Sequence, residues 1–260
     1  MRNIVYIFIL FTSFVFAQDY PSTTEEMKLY KKVKSIKESK YKVAENFGVV
    51  VKKGLLNTSL FIFDPYGRLK EKNEFTSGGA LEKKYIFEFN TRGKCISMNR
   101  YNPNGALYGK MIYHYDANEV LQMFTVVDEN GNMKYRTVYE YDKKGKLKSE
   151  TLYKNETQII SYKTFENDSH GNIILENYFA DKKKLQLEKT TFEYDKKGNL
   201  IKKGNFKIEQ PTAKEIKKKM FLVDQITYVY AYDKNFNWIQ KTIYKNNVAQ
   251  EIIERKIEYF

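Results

Sequence analysis

The sequence is poor in the residues that build metal and redox sites. Its 260 residues include one Cys, two His, one Trp and four Pro. One Cys excludes a disulfide framework and any Cys-rich zinc or iron–sulfur site within one chain, and two His argue against a His-based metal centre. Nucleophile-elbow phrases and phosphate-binding glycine loops are also missing from the sequence. We therefore expect no catalytic residue, no cofactor and no bound metal.

Acidic residues are fewer than basic ones. The chain has 45 Lys and Arg against 32 Asp and Glu, a net charge of +13, and only six of the basic residues are Arg. Bidentate phosphate recognition favours Arg over Lys, so we expect no nucleic-acid partner. A solvated lysine surface is one interpretation. Binding to an anionic envelope polymer or to lipid headgroups is the other.

Long apolar runs are confined to the N-terminus, where residues 1–17 have the pattern of a secretory signal peptide. Arg2 is followed by an apolar stretch that ends at Ala17, and it is too short for a membrane-spanning helix of about 20 residues. Gln18 follows the expected cut, so a lipoprotein anchor is not indicated. We expect cleavage after Ala17 and export to the periplasm or the cell exterior, without a transmembrane span in the mature chain. An uncleaved N-terminal anchor is the rival interpretation.

A repeated phrase is the strongest signal in the chain. Two aromatic residues, separated by one position, precede an Asp or Asn that is followed three positions later by Gly. We call the Asp or Asn the anchor. The steps between anchors are 26, 26, 26, 26, 27 and 38 residues, and the last contains an insertion. The anchors are Asp64, Asn90, Asp116, Asp142, Asp168, Asp195 and Asp233.

Residues at the same position of successive repeats form a column, and each column has a physical reason. Aromatic-x-aromatic indicates a strand with one buried face, and Asp-x-x-Gly is typical of a type I turn closed by a Gly bulge. Where Glu119 and Phe236 replace Gly, we expect Asn118, Asn235 or Asn237 to take the left-handed conformation instead. Apolar residues recur five positions after the anchor and mostly aromatic residues at eleven. We expect these columns to cover one face of the sheet.

A second, weaker turn midway between anchors makes the chain reverse about every 13 residues. Strands of about nine residues follow, within the usual range. The predicted fold is all-β, a long antiparallel meander of about 14–16 strands. Its single-layer sheet would curl into a spiral, a shell or a barrel-like tube. We divide the chain into residues 18–58, with a degenerate first repeat, and a repeat domain over residues 59–260, with an insertion at about 207–225.

The phrase aromatic-Tyr-Asp-x-x-Gly-x-Leu resembles the YD repeats of the RHS family. The half-units at residues 101–109 and 244–248 resemble MORN-variant repeats. The resemblance covers about residues 60–260. It implies a single-layer antiparallel sheet wound into a spiral or shell, and it implies no catalytic residue.

Two irregular segments complete the sequence. Thr23 and Thr24, followed by Glu25 and Glu26, predict a capped short helix to about Lys32. Residues 33–41 predict a strand. The insertion predicts a solvated loop or a short helix.

Candidate chemistry is weighed against structural roles. Successive anchors are expected about 9–10 Å apart, too far to share a calcium ion, so turn capping is favoured. Glu recurs between the two aromatic residues of the repeat and forms a second row of acidic side chains, which we call the second acidic ladder: Glu88, Glu140, Glu166 and Glu193. For this ladder we predict ion pairs with Lys on neighbouring strands, and not the pair of catalytic carboxylates of a glycosidase. Cys95 is predicted to lie in the core.

We therefore expect an exported, non-enzymatic monomer that acts as a binding or scaffold module for an envelope or extracellular partner. The partner is a protein or an anionic envelope polymer. A carbohydrate- or cell-wall-polymer-binding module with aromatic stacking platforms is the alternative. An enzyme with a shallow acidic site is the third hypothesis.

Overall fold

The computed structural model describes residues 21–180, 185–209 and 219–260, which form a closed antiparallel barrel of sixteen strands. Each strand pairs with its successor in the chain, and β1 pairs with β16 to close the sheet. The strands are β1 Val33–Asn46, β2 Val49–Phe63, β3 Leu69–Thr76, β4 Leu81–Phe89, β5 Cys95–Tyr101, β6 Leu107–Tyr115, β7 Leu121–Asp128, β8 Met133–Tyr141, β9 Leu147–Lys154, β10 Gln158–Asn167, β11 Ile173–Phe179, β12 Gln186–Tyr194, β13 Leu200–Glu209, β14 Lys219–Tyr232, β15 Trp238–Lys245 and β16 Val248–Tyr259.

The predicted all-β meander is confirmed, and among the three predicted shapes the sheet adopts the closed tube. The strand predicted over residues 33–41 is part of β1. The insertion differs from the prediction at both described ends, because β13 continues to Glu209 and β14 begins at Lys219. The predicted signal peptide at residues 1–17 and residues 210–218 lie outside the described residues.

The seven anchor turns share one hydrogen-bond pattern. The anchor oxygen Oδ1 accepts the backbone N–H groups of the second and fourth residues after it, as Asp142 does from Lys144 at 2.8 Å and Lys146 at 2.9 Å. The N–H of Gly145 donates to the carbonyl of Asp142 at 3.0 Å, and Gly145 has φ of 76°. All seven turns lie at one end of the barrel, which we call the anchor end. The other turns form the far end.

Two turns depart from the prediction at the Gly position. Glu119 and Phe236 themselves adopt the left-handed conformation, with φ of 63° and 65°, so the expectation that a neighbouring Asn would do so is wrong. The anchor carboxylate fixes the turn through the N–H groups on either side of this position, which leaves the residue no other conformation. Glu119 pairs with Arg92 at 3.0 Å, and Phe236 packs edge-on against Tyr30.

A β-bulge after each anchor turn decides which columns face inward. In the second repeat Phe89 pairs with Cys95 and Glu88 pairs with Ser97, so Ile96 is the extra residue. The bulge reverses the alternation, and a one-residue change moves every later side chain to the other face. The residues eleven positions after the anchor therefore face outward, and the prediction that they share the buried face is wrong. These residues are Phe75, Tyr101, Val127, Tyr153, Phe179, Phe206 and Tyr244.

The fully buried large apolar side chains lie on the inward face, and the outward face carries paired charges beside the outward aromatic column. Phe87 and Phe124 point inward and are fully buried, with 1% and 0% of their surface exposed. The outward ion pairs include Lys84–Glu71 at 2.9 Å, Lys110–Glu88 at 3.6 Å and Lys202–Glu193 at 2.9 Å. Membrane-spanning barrels have the reverse arrangement, an apolar outer band around a polar interior.

Residues 21–32 cross the anchor end of the barrel. At one side the N–H of Thr24 donates to the carbonyl of Gly67 at 2.7 Å. Farther round, Lys28 donates to the carbonyl of Gly198 at 2.5 Å, and the N–H of Tyr30 donates to Asn237 at 2.7 Å. Thr23 caps the segment and bridges to Arg68, but residues 24–28 form turns and not the predicted helix. The contacts to the barrel hold the chain in this path.

Inward tyrosines tie neighbouring repeats together. Tyr115 donates to the carbonyl of Cys95 at 2.8 Å, and Tyr141 donates to that of Leu121 at 2.6 Å. Asn167, the exception in this aromatic column, makes the equivalent bond to the carbonyl of Leu147 at 2.7 Å. The accepting residue comes immediately before the extra residue of the bulge in each case, so the column supplies hydrogen bonds as well as apolar surface.

Candidate functional site

The anchor carboxylates serve the turns. Burial raises the pKa of Asp195, but hydrogen bonds from the Asn199 side chain, the Asn199 and Lys197 N–H groups and Tyr232 outweigh it and lower that pKa. The pKa of Asp142 is also lowered, chiefly by the N–H of Lys146. Each carboxylate is held by its own turn, as the turn-capping interpretation predicts.

The second acidic ladder lies on the outer face, between the inward aromatics. Glu193 pairs with Lys202 at 2.9 Å. Glu88 accepts hydrogen bonds from Ser97 and Asn99 in addition to its ion pair with Lys110. Glu140 instead accepts from Ser149 at 2.8 Å. The carboxylates of this ladder therefore have two kinds of partner. Some form the predicted ion pairs with Lys, and some accept hydrogen bonds from Ser or Asn on the neighbouring strand.

Cys95 is in the core, as predicted. Its side chain is buried, and this desolvation is the main cause that raises the pKa of the thiol to about 12. His114 faces outward within 3.3 Å of Thr125, and His170 is exposed in an anchor turn. In residues 21–180, 185–209 and 219–260, no three His, Cys, Asp or Glu side chains come together as a metal-binding group.

A surface groove of about 440 Å³ lies beside the second and third anchor turns. Arg92, His114, Asp116 and Glu119 contribute to its lining. Arg92 and Glu119 pair with each other, and Asp116 accepts two N–H groups of its own turn. Three charged side chains of this groove, Arg92, Asp116 and Glu119, are thus engaged within the protein.

The interior of the barrel is a stronger candidate because one inward column changes its chemistry along the chain. This column lies eight positions after the anchor, and its register partners include inward aromatics such as Phe87, Tyr139 and Tyr230. In the second and third repeats it holds the buried residues Met98 and Phe124. It holds Lys72 in the first repeat, and Glu150, Glu176, Lys203 and Lys241 in the last four. The column was not recognised in the sequence, because charged residues replace apolar ones in several repeats and no apolar period remains.

The burial of the two sides follows the same change. We call β4–β8 the filled wall and β12–β15 the unfilled wall. The filled wall contributes Tyr85, Phe87, Met98, Met111 and Phe124 to the buried core. No described apolar side chain between residues 186 and 245 is buried, although Phe192, Tyr228 and Tyr230 point inward. Inward side chains of the unfilled wall keep part of their surface exposed, so the interior is packed less completely beside this wall than beside the filled wall.

Charged side chains gather on the inner face next to this wall, where β15, β16 and β1 pair. Arg255 of β16 contacts Glu38 of β1 through two nitrogens, Nε at 2.8 Å and Nη2 at 2.7 Å. The guanidinium carbon lies 3.4 Å from the centre of the Trp238 ring, and Lys241 Nζ lies 4.9 Å from it. Tyr230 packs beside Trp238, with ring centres 6.0 Å apart. This part of the inner face therefore presents aromatic faces and cations together.

A second charged group lies where the filled wall ends. Lys163 Nζ and Glu176 Oε1 are 3.4 Å apart, and both side chains are at most 9% exposed. Glu150 is also buried, paired in register with Lys163. This group holds one cation and two carboxylates, so its net charge is negative, whereas the group around Trp238 has more cations than acids.

The anchor end carries a basic edge. Lys143, Lys144, Lys196 and Lys197 are exposed there. Lys197 also lies over the Tyr232 ring, 3.8 Å from its centre. No helix in the described part of the chain is long and apolar enough to cross a membrane.

Comparisons with known proteins give a fold but no activity. A family model described only as an uncharacterised protein matches residues 50–170. A porin-like protein from Bacteroides uniformis has a similar structure, with a TM-score of 0.55 and 13% identity over 92% of this chain and 98% of that chain. At this identity the likeness shows the barrel fold alone. No curated protein matches the sequence.

Two more distant structures have TM-scores too low to carry an argument. The Tc holotoxin pore of Photorhabdus luminescens matches at 0.35 and 16% identity, over 75% of this chain but 9% of that one. A putative outer membrane lipoprotein-sorting protein domain from Vibrio parahaemolyticus matches at 0.24 and 9% identity, over 87% of this chain and 85% of that one.

The resemblance to RHS/YD repeats and MORN-variant repeats is wrong as a family assignment. The family model that matches belongs to an uncharacterised family, and the barrel neighbour is porin-like. The physical reason is that the phrase encodes a local structure. Any antiparallel meander with Asp-capped bulge turns and an aromatic inner face needs aromatic-x-aromatic-Asp-x-x-Gly, whatever the shape of the complete sheet.

Proposed function

We propose that this chain is an exported, non-enzymatic binding module of the cell envelope, and that it takes a small amphipathic molecule into the barrel beside the unfilled wall. The observation that carries the proposal is the contrast between the two walls. Phe87 of the filled wall is fully buried, whereas Phe192, in the same column of a later repeat, points inward and is only half-buried. Binding sites are typically concave, mostly apolar and equipped with a few polar groups.

The lining supports an amphipathic ligand. Phe192, Tyr228, Tyr230 and Trp238 offer aromatic faces, while Lys203 and Lys241 point into the same space. Residues 21–32 cross the anchor end, so entry is expected from the far end. The signal peptide predicted at residues 1–17 supports export, and the charged outer face supports a module that encloses its ligand rather than a pore.

Adjacent threonines on β12 offer a matched test. Thr190 points inward, opposite Glu176 and Asn205, whereas Thr191 points outward, opposite Leu175 and Gly204. Calorimetric titration of the purified exported protein with decanol should give saturable binding near one molecule per chain. Thr190→Phe should weaken that binding at least about tenfold by occupying the space, and Thr191→Phe should leave it within about twofold. Absence of binding by the folded wild-type protein, or equal effects of the two substitutions, would contradict the proposal.

A carbohydrate- or cell-wall-polymer-binding module is the second candidate, favoured by the outward aromatic column. Tyr101, Tyr153 and Tyr244 belong to this column and are half-buried on the outer face. Arg136 stacks over Tyr153, 4.7 Å from its ring centre, which covers part of one platform. Loss of pull-down on a cell-wall polymer in Tyr101→Ala and Tyr244→Ala, with decanol binding absent, would favour this candidate.

A further inference from the structure

The cluster around Trp238 carries more positive than negative charge. Arg255, Lys241 and Lys40 face Glu38 and Glu251, and Lys40 is paired with Glu251 at 3.1 Å. Glu38 is engaged by Arg255. Lys241 therefore adds a cation that these two acids do not neutralise. Burial is the main cause that lowers the pKa of Lys241, while Glu38 opposes that shift and Arg255 adds to it.

One donor of Arg255 is left over. The side chain is 7% exposed, and Nε and Nη2 both contact Glu38. Its Nη1 is buried and has no hydrogen-bond partner among the described residues. A buried polar group without a partner costs about 1–3 kcal/mol, and more when it is charged. The arrangement is therefore incomplete without an acceptor.

We propose that Arg255 Nη1 and Lys241 Nζ bind the anionic headgroup of the ligand, a carboxylate or a phosphate. This inference rests on the proposed function and specifies the ligand class. Both cations lie close to the Trp238 ring, and Arg is suited to planar bidentate recognition of such groups. The apolar part of the ligand then contacts Tyr230 and the inward aromatics of the unfilled wall.

The test compares three ligands that share one tail. Decanoate, decyl phosphate and decanol are titrated below their micelle concentrations into the purified exported protein by calorimetry. A charge-assisted hydrogen bond is worth about 1.5–3 kcal/mol, so at least one of the two anions should bind about tenfold or more tightly than decanol. The better anion identifies the headgroup.

Substitutions locate the effect. Lys241→Gln should reduce the preference for the anion to about threefold or less. Lys203→Gln is the matched control, since Lys203 occupies the same column one repeat earlier but lies beside Phe192, 5.9 Å from its ring centre. It should keep most of the preference. The double variant Arg255→Gln with Glu38→Gln removes both partners together, so no buried charge is left alone, and it should also lose the preference.

The outcomes separate this inference from the proposed function. Equal binding of decanol and both anions by the wild-type protein overturns the headgroup site and leaves the binding module in place. Equal loss of preference in Lys241→Gln and Lys203→Gln overturns the site in favour of a diffuse positive field. Failure of all three ligands to bind contradicts the proposed function itself.

Discussion

The filled and unfilled walls of the barrel are built from the same repeat, yet their interiors differ. Both walls have Asp-capped or Asn-capped turns, a bulge at the same position and two inward aromatics before each anchor. They differ eight positions after the anchor, where Met98 and Phe124 on one side correspond to Lys203 and Lys241 on the other. The turn and aromatic columns thus specify the barrel, and the other inward columns decide whether its interior is packed.

The largest expected difference concerns two phenylalanines at the same repeat position. Phe87→Ala removes a side chain that is fully buried and should lower the free energy of unfolding by about 3–5 kcal/mol. Phe192→Ala removes a side chain that is only half-buried and should lower the free energy of unfolding by about 1–2 kcal/mol. Urea unfolding followed by circular dichroism measures both. Equal losses would mean that the two walls are packed alike.

The next effect tests how residues 21–32 are fixed beside the unfilled wall. Asn237 is 1% exposed, accepts the N–H of Tyr30, and donates to the Tyr30 carbonyl at 2.8 Å and to the Tyr259 hydroxyl at 2.9 Å. Asn237→Ala should lower the free energy of unfolding by about 2–3 kcal/mol and make the segment sensitive to limited proteolysis. Asn172 occupies the same turn position two repeats earlier and contacts Lys28 at 3.3 Å. Asn172→Ala should leave the segment protected, and early cleavage in this control would argue against a specific role of Asn237.

The anchor turns give a smaller, pH-dependent effect. Asp195→Ala removes the acceptor of two turn N–H groups and should lower the free energy of unfolding by about 1–2 kcal/mol at pH 7. The pKa of Asp195 is lowered in the folded state. Its contribution is therefore complete above the unfolded pKa of about 4 and falls as the pH drops below that value.

Asp195→Asn separates charge from hydrogen bonding in this turn. Asn90 is a natural anchor that accepts the same two N–H groups, so the substitution should keep most of the stability at pH 7. It should also remove the contribution of this residue to acid destabilisation. If the free energy of unfolding of Asp195→Asn fell between pH 5 and pH 3 as steeply as that of the wild-type protein, the folded state would not stabilise the ionised form of Asp195.

The smallest expected effect concerns the two turns without Gly. Glu119 adopts φ of 63°, a conformation that is uncommon for residues other than Gly, Asn and Asp. Glu119→Gly should relieve this backbone strain but lose the exposed ion pair with Arg92. The net result should be a slightly higher melting temperature, corresponding to an increase of up to about 1 kcal/mol in the free energy of unfolding. Gly145→Ala, in the equivalent position of the next repeat, should have the opposite sign. A lower melting temperature in both variants would mean that the ion pair between Glu119 and Arg92 contributes more to stability than the backbone strain at Glu119 costs.

The sequence predicts the barrel well where its period is carried by apolar and turn residues. Asp142 and Gly145 reveal the turn, and the aromatic pair before the anchor reveals the inward strand. The column eleven positions after the anchor was assigned to the wrong face because the bulge at Ile96 and its equivalents adds a residue that sequence alternation does not show. Closure depends on the pairing of β1 with β16, such as Ile36 with Ile257, a contact between chain ends that no local pattern encodes.

The candidate site was harder to predict than the fold. Trp238, Lys241, Arg255 and Glu38 come from three strands, and only the closed sheet brings Glu38 of β1 beside Arg255 of β16. Trp238 lies five positions after its anchor, in the same apolar column as the core residues Leu69 and Cys95. Its contact with two cations could not be read from that column, because Arg255 lies in the last strand, beyond the seven anchors.

The most direct test of ligand binding inside the barrel uses the single Trp of the sequence. Bromine quenches tryptophan fluorescence at short range, so 10-bromodecanoate reports whether an acyl chain comes close to Trp238. Titration of the purified exported protein should give saturable quenching with one site per chain, lost in Thr190→Phe and kept in Thr191→Phe. Quenching that is absent, or that rises linearly without saturation in the folded protein, would contradict a binding site beside the unfilled wall.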